Sequence, residues 1–87
     1  MKGVIYEHQA AAAADTAKAL WPRQEDVMTT IEWALVRDPG IGVPLFHGSP
    51  IKVAVFNGAP SIGMPTVEIT YQETANAIIL HDLEFRK

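Results

Sequence analysis

The stretch TVEITY, residues 66–71, decides the fold because its side chains alternate between apolar and polar without interruption. Val67, Ile69 and Tyr71 occupy every second position, and Glu68 lies between the first two. Successive side chains of a β-strand point to opposite faces of the sheet. The pattern therefore predicts a strand in a sheet that has one buried face and one face open to solvent.

Three other segments are predicted to join this sheet. Residues 3–6, 51–56 and 77–85 are rich in β-branched and apolar residues, a composition that favours strands. The short polar turn at residues 72–76 suits a hairpin between the last two strands. Strict alternation in the last strand would place Ile79, His81, Leu83 and Phe85 on one side, and Ile78, Leu80, Asp82 and Glu84 on the other.

Two segments rich in glycine and proline, residues 39–50 and 57–65, are predicted to be loops. The first also contains the apolar residues Ile41, Leu45 and Phe46. Because apolar surface gains free energy on leaving water, we expect this first loop to pack against the body of the domain.

Two helices are predicted between the first strand and the first loop. Residues 10–21 are dense in alanine, the best helix former, and their apolar side comprises Ala10, Ala13, Ala14, Ala17, Leu20 and Trp21. The second helix spans residues 22–37 and starts at Pro22, since proline suits the first helical position. Its apolar stripe is Val27, Met28, Ile31, Ala34 and Leu35, widened by Trp33 and Val36, and we expect Trp21 and Trp33 in the core.

The predicted order is thus β-α-α-β-β-β over a single domain, residues 1–87. We expect an α+β fold in which two N-terminal helices cover one face of an antiparallel sheet of three to four strands. Helices on one face leave the other face uncovered, so the open face is where a functional site is expected.

Composition excludes several classes of function. The 87 residues include no cysteine, which rules out disulfides, thiolate metal sites and a cysteine nucleophile. Seven basic and ten acidic residues give a net charge of −3, against the basic surface typical of nucleic-acid binding. Neither a signal peptide nor a membrane-spanning run is recognisable, so a soluble cytoplasmic protein without membrane contact is expected.

No motif indicates a cofactor or a metal ion. The glycines at residues 40–42 lack the rest of a phosphate loop, and Ser61 lacks the spacing of a nucleophile elbow. His8, His47 and His81 are far apart, without the close pair that zinc sites use.

Four polar residues are the remaining candidates for chemistry. Lys52 is either a solvated strand residue or a cation that contacts phosphate. His81 is either structural or a general acid or base, and Glu68 is either an exposed strand residue or a base. Arg86, with Lys87, is either a solubilising end or a phosphate clamp.

Taken in order, four segments resemble the RelE/ParE superfamily of toxins from bacterial toxin–antitoxin pairs. The helix end ALVRDPG at 34–40 and GVPL at 42–45 resemble the leucine, proline and glycine pattern of that family. The strand VEITYQ at 67–72 is similar to its tyrosine-containing strand, and IILHDLEFRK at 78–87 to its last strand. The resemblance covers nearly the whole chain, and the order and spacing of the segments carry it.

The resemblance implies a bacterial toxin of the plasmid-stabilisation kind, neutralised by a cognate antitoxin. One branch of the family cuts messenger RNA on the ribosome with basic residues on the open sheet face, and another inhibits DNA gyrase. Lys52 fits a strand lysine of the ribonuclease branch, and Arg86 and Lys87 fit its basic end. A second basic position falls on Ala54, and an expected arginine falls on Glu68, where a carboxylate would repel phosphate.

Three hypotheses follow from these observations. In the first, the chain is a toxin-family protein with an incomplete basic set that acts by binding a protein partner, a cognate antitoxin that covers either the open sheet face or the helix groove. In the second, it is an active ribosome-dependent endoribonuclease with a rearranged site built from Lys52, Glu68, His81 and Arg86. In the third, it is a non-toxin interaction domain of the same architecture, or a homodimer. Residue types alone leave enzyme and binding protein both open.

Overall fold

The computed structural model of the chain describes residues 3–86, apart from the side chain of Pro60. The predicted basic residue Lys87 lies outside them. In chain order the elements are β1 (Gly3–Tyr6), α1 (His8–Leu20), α2 (Gln24–Arg37), a 3₁₀ helix (Pro39–Ile41), β2 (Val43–Pro44), β3 (Ile51–Phe56), a second 3₁₀ helix (Pro60–Ile62), β4 (Thr66–Glu73) and β5 (Ala77–Arg86). The predicted α+β class is confirmed.

The sheet differs from the prediction in strand number and in direction. Five strands are ordered β1-β5-β4-β3-β2, and β1 runs parallel to β5 while the other pairs are antiparallel. The extra strand, β2, lies inside the segment predicted to be a loop. The parallel pair joins the two ends of the chain, Gly3 beside Ala77, so no local pattern could indicate its direction.

Both helices pack on the same face of the sheet. The fully buried sheet residues beneath them include Val67, Ile69, Tyr71, Ile78 and Leu80. The buried side of α1 is made of alanines, which let the helix approach β5 closely, and α2 contributes larger side chains such as Ile31 and Leu35. The core therefore lies between the helices and β3–β5, with the opposite sheet face uncovered.

The second helix begins later than predicted. Trp21 has an extended backbone, with φ −126° and ψ 109°, and α2 starts at Gln24 rather than at Pro22. A residue that precedes proline is disfavoured in the helical region, because the proline ring crowds its backbone. Pro22 thus ends α1 and forces a turn instead of opening α2.

The prediction that Trp33 belongs to the core is wrong. Its exposure is 64%, whereas Ile31 is 1% exposed. Two residues along a helix correspond to a rotation of roughly 200°, so Trp33 points away from the sheet. Trp21 is partly buried at the turn between the helices.

Other apolar residues are also more exposed than the sequence indicated. Leu20, at the end of α1, is 71% exposed. The expectation that the first loop packs against the body is wrong for its tip, where Leu45 is 54% and Phe46 is 68% exposed.

The start of this loop is held by the hydroxyl of Tyr71. That hydroxyl accepts a hydrogen bond from the Gly42 N–H at 2.9 Å and donates to the Pro39 carbonyl at 2.8 Å. A Cβ on Gly42 would lie 2.6 Å from the same oxygen, so glycine is required for this approach. Burial raises the pKa of Tyr71 above its ordinary value, which keeps the hydroxyl protonated.

A β-bulge in β5 breaks the predicted alternation. Thr70 pairs with Asp82 and Tyr71 pairs with Leu80, so His81 is an extra residue without a partner in β4. Before the bulge Leu80 is buried, and after it Leu83 is buried. The strict two-sided assignment of β5 is therefore wrong beyond His81, and His81 and Asp82 both lie on the uncovered face.

Candidate functional site

The face of β3, β4 and β5 turned away from α1 and α2, here called the open face, is the candidate site. Residues paired across neighbouring strands share a face, so the strand register assigns each side chain. An apolar strip runs along β2 and β3, and polar and charged residues follow on β4 and β5. The apolar strip is Val43, Ile51, Val53 and Val55, and the polar part is Glu68, Thr70, Gln72, His81, Asp82, Glu84 and Arg86.

Two glutamates and one arginine form an ion cluster on the open face, where β5 ends and β4 begins. Glu68 and Glu84 are register partners, an arrangement of like charges that destabilises a sheet unless it is neutralised. The Arg86 guanidinium contacts the Glu68 carboxylate through Nη2 and donates from Nε to Glu84 Oε1 at 3.0 Å. The hydrogen bond and charge of Glu84, and then the charge of Glu68, raise the pKa of Arg86. Arg86 thus joins the two carboxylates and is engaged on both sides.

His81 connects β5 to the chain segment between β1 and α1. Its Nδ1 contacts Oε1 of Glu7, and its Nε2 lies 3.2 Å from Oε1 of Gln72. The ring thus connects a carboxylate of the segment between β1 and α1 with a side-chain amide of β4. The bulge is what turns His81 to the open face, so that the ring can reach Glu7.

Lys52 lies on the other side of the sheet. It is the register partner of Tyr71, whose side chain is buried beneath the helices, and its Cβ lies close to Gly42. The open face of β3 is formed by the residues on either side of it, Ile51 and Val53. The structure therefore brings Glu68 and Arg86 together and places His81 further along the same face, but it does not bring Lys52 to them.

This geometry has a direct consequence for binding chemistry. Among the described residues, the open face carries four carboxylates, on Glu7, Glu68, Asp82 and Glu84, against the single guanidinium of Arg86. A phosphate group would meet net negative charge there, and the one cation on this face among the described residues is already paired. Within residues 3–86, no three His, Asp or Glu side chains are grouped so that they could hold a metal ion.

Sequence reasoning missed several residues of this face. Glu7 and Gln72, the partners of His81, carry no motif, because only the fold brings them to the ring. The apolar strip was also missed, since β3 is apolar at most positions on both sides and gives no alternation. The only sequence signal for this strip was the presence of β-branched residues at every second position, namely Ile51, Val53 and Val55.

No protein-family model, curated protein or solved structure matches the chain. Within residues 3–86, neither α-helix has the length and hydropathy that crossing a bilayer requires.

Proposed function

We propose that the chain is a RelE/ParE-like toxin-family protein of a toxin–antitoxin pair, and that it acts by binding a protein partner rather than by cutting RNA. The composition of the open face carries this proposal. Arg86 is held between Glu68 and Glu84, and Lys52 lies on the other side of the sheet. Two helices packed on a single face of the sheet support the same assignment at the level of the α+β class.

The open face suits a partner of a particular chemistry. Val43 and Val55 are exposed and offer apolar surface at one edge, while Asp82 and Glu84 place negative charge at the other side. A chain segment with apolar residues over β3 and basic residues over β5 would complement both parts. The cognate antitoxin, in the cytoplasm, is the partner that the family resemblance implies.

Co-purification with the products of adjacent short reading frames tests the proposal. We expect one of them to form a stable complex with the full chain, and we expect Val55→Lys to weaken that complex about tenfold by placing a charge in an apolar contact. Titration calorimetry on both versions measures the change.

The control is Trp33→Lys, which changes an apolar residue of similar exposure on the outer side of α2. It should leave the affinity within about twofold, since it lies on the helical side of the molecule. Failure of every neighbouring product to co-purify contradicts the pair, and a larger loss with Trp33→Lys than with Val55→Lys contradicts the open face as the binding surface.

The ribonuclease hypothesis predicts a different outcome from the same chain. Induced expression should then arrest growth and leave cut transcripts, and Lys52→Ala, but not the surface change Lys18→Ala, should abolish both effects. Growth arrest without cut transcripts would instead support inhibition of DNA gyrase, the other target that the resemblance implies.

A homodimer is favoured by one specific feature, the apolar edge at β2. Val43 lies in this two-residue edge strand, and Leu45 and Phe46 follow it with most of their surface exposed. An unpaired edge beside apolar side chains can add a strand from a second copy. Light scattering distinguishes the possibilities, because a dimer that Phe46→Ser dissociates would support self-association, and a strict monomer would contradict it.

A further inference from the structure

A cavity of about 380 Å³ lies between α1 and α2, on the helical side of the molecule and away from the open face. We call it the interhelical pocket. The residues that carry its polar chemistry are Tyr6, Asp15, Lys18, Gln24, Glu25 and Glu32. None of them belongs to the open face, so the pocket is independent of the function proposed above.

Gln24 is the feature that points to a ligand. It is the first residue of α2, it lines the pocket, and only 2% of its surface is exposed. Its Oε1 is buried without a hydrogen-bond partner among the described residues. Folded proteins rarely leave a buried amide oxygen unpaired, because the lost hydration is then not replaced. A donor placed in the pocket would supply the missing bond.

The charges of the pocket define the donor. Asp15, Glu25 and Glu32 bring three carboxylates and Lys18 brings one ammonium group, which leaves an excess of two negative charges. Lys18 Nζ lies 3.6 Å from Glu25 Oε1, so the cation and one of the carboxylates are matched to each other. The unmatched carboxylates are those of Asp15 and Glu32, on the two facing helices.

Tyr6 holds one of these carboxylates in place. Its hydroxyl donates to Glu32 Oε2 at 2.5 Å. Burial, followed by the hydrogen bond and the charge of Glu32, raises the pKa of Tyr6, so the hydroxyl remains a donor and does not add a further negative charge. Glu32 therefore faces the pocket as a fixed acceptor.

The remaining lining suits an alkyl chain. Ala11 and Ala14 on α1 are small, which provides the room, and Met28 on α2 gives an adaptable apolar wall. We propose that the interhelical pocket binds a small organic cation with amine groups at both ends of a short alkyl chain. One ammonium group would donate to Gln24 Oε1 and the other would lie against the carboxylates of Glu32 and Asp15.

An NMR titration of the full chain tests this proposal, with 1,4-diaminobutane as the probe and 1,4-butanediol as its uncharged analogue of equal length. In about 0.15 M salt, which screens exposed charges, the diamine should give saturable shifts of the amides of α1, α2 and Tyr6. Butanediol should bind at least about tenfold more weakly, since it lacks the charge-assisted hydrogen bonds.

Three variants identify the groups involved. Gln24→Leu, which removes the unpaired oxygen at similar side-chain volume, and Glu32→Gln, which removes the charge, should each weaken diamine binding about tenfold. Glu68→Gln, which removes a carboxylate from the open face, should leave it unchanged. If Glu32→Gln does not fold, Asp15→Asn takes its place.

The proposal is overturned by any of four results. These are shifts that never saturate, equal binding of butanediol, shifts centred on Asp82 and Glu84 instead of the pocket, and unchanged affinity in Gln24→Leu. A higher melting temperature of Gln24→Leu together with weakened diamine binding would support it, because the unpaired oxygen would then be shown to reduce stability for the sake of binding.

Discussion

Two glycines of this chain, Gly58 and Gly3, differ in whether the surrounding backbone leaves room for a Cβ atom. Gly58, between β3 and the second 3₁₀ helix, donates its N–H to Thr66 Oγ1 at 3.0 Å. A Cβ at this position would lie 2.2 Å from the Pro65 carbonyl oxygen and 2.3 Å from that of Met64. Gly3, in the edge strand β1, would meet no atom within 4 Å.

We therefore expect Gly58→Ala to lower the free energy of unfolding by about 3 kcal/mol, because backbone atoms must move to admit the methyl group. Gly3→Ala is the matched control and should change it by less than about 0.5 kcal/mol. Urea denaturation of both variants measures the difference. Equal effects of the two changes would contradict the close approach at Gly58.

Arg86 is expected to support the sheet by separating two like charges. In Arg86→Gln, Glu68 and Glu84 remain directly opposite each other without a cation, so the thermal midpoint should fall at low salt. The difference from the unchanged chain should shrink in about 1 M salt, where the screening length is about 3 Å.

The double variant Arg86→Gln, Glu84→Gln should recover part of the loss, since it removes the opposed pair. Lys18→Gln is the control, because Lys18 makes only an exposed pair with Glu25 and such pairs contribute little. Thermal melts at both salt concentrations decide the question, and a loss in Arg86→Gln that does not respond to salt would count against an electrostatic role.

Among the elements, β5 is the one whose irregularity shapes the candidate site. Its bulge places His81 and Asp82 side by side on the open face, with Leu80 and Leu83 buried on either side. If one of the two bulge residues is deleted, the strand returns to strict alternation, with Leu80 inward, one residue outward and Leu83 inward again. A deletion in the facing strand β4 has no such compensation.

Deleting His81 should accordingly preserve cooperative unfolding and lower the free energy of unfolding by less than about 2 kcal/mol. Deleting Thr70 should lower it by more than about 3 kcal/mol, because either Ile69 or Tyr71 must then leave the core. Denaturation followed by tryptophan fluorescence compares the two. A deletion of His81 that is as harmful as that of Thr70 would show that the contacts of its ring with Glu7 and Gln72, rather than the bulge itself, are what the fold requires.

For the whole molecule, two hydrogen-bonded tyrosine hydroxyls define an alkaline limit to stability. Burial is the main cause that raises the pKa of both Tyr6 and Tyr71 above the ordinary value of 10.0. The unfolded chain loses these protons first as pH rises. The stabilisation of the folded state by these two protonated hydroxyls is therefore complete below about pH 10, and it is lost as pH rises from there through the folded pKa values.

Between about pH 10 and its folded pKa, each tyrosine should add up to about 1.4 kcal/mol per pH unit to the decline in unfolding free energy. Solvent screening shortens this pH range for the half-buried Tyr6. The variant Tyr6→Phe should flatten the decline, and Tyr6→Phe, Tyr71→Phe should flatten it further. Chemical denaturation between about pH 8 and pH 11.5 measures the slopes. An unchanged slope in both variants would show that the tyrosines do not set the limit.

The chain's own patterns were sufficient for the α+β class, for both helices and for four of the five strands, all except β2. They did not give the direction of β1. Alternation in residues 66–71 and the helical stripe around Ile31 and Leu35 are local signals, and local backbone preference and burial agree there.

Only the tertiary structure decided the rest, because it depends on which distant segments meet. The parallel pairing of β1 with β5, the bulge at His81 and the outward side of Trp33 each follow from packing between elements. The separation of Lys52 from Arg86 arises in the same way, since strand register assigns faces, and register is settled by pairing over the whole sheet. The unpaired oxygen of Gln24 in the interhelical pocket has no sequence signal, because burial there is created by two helices together.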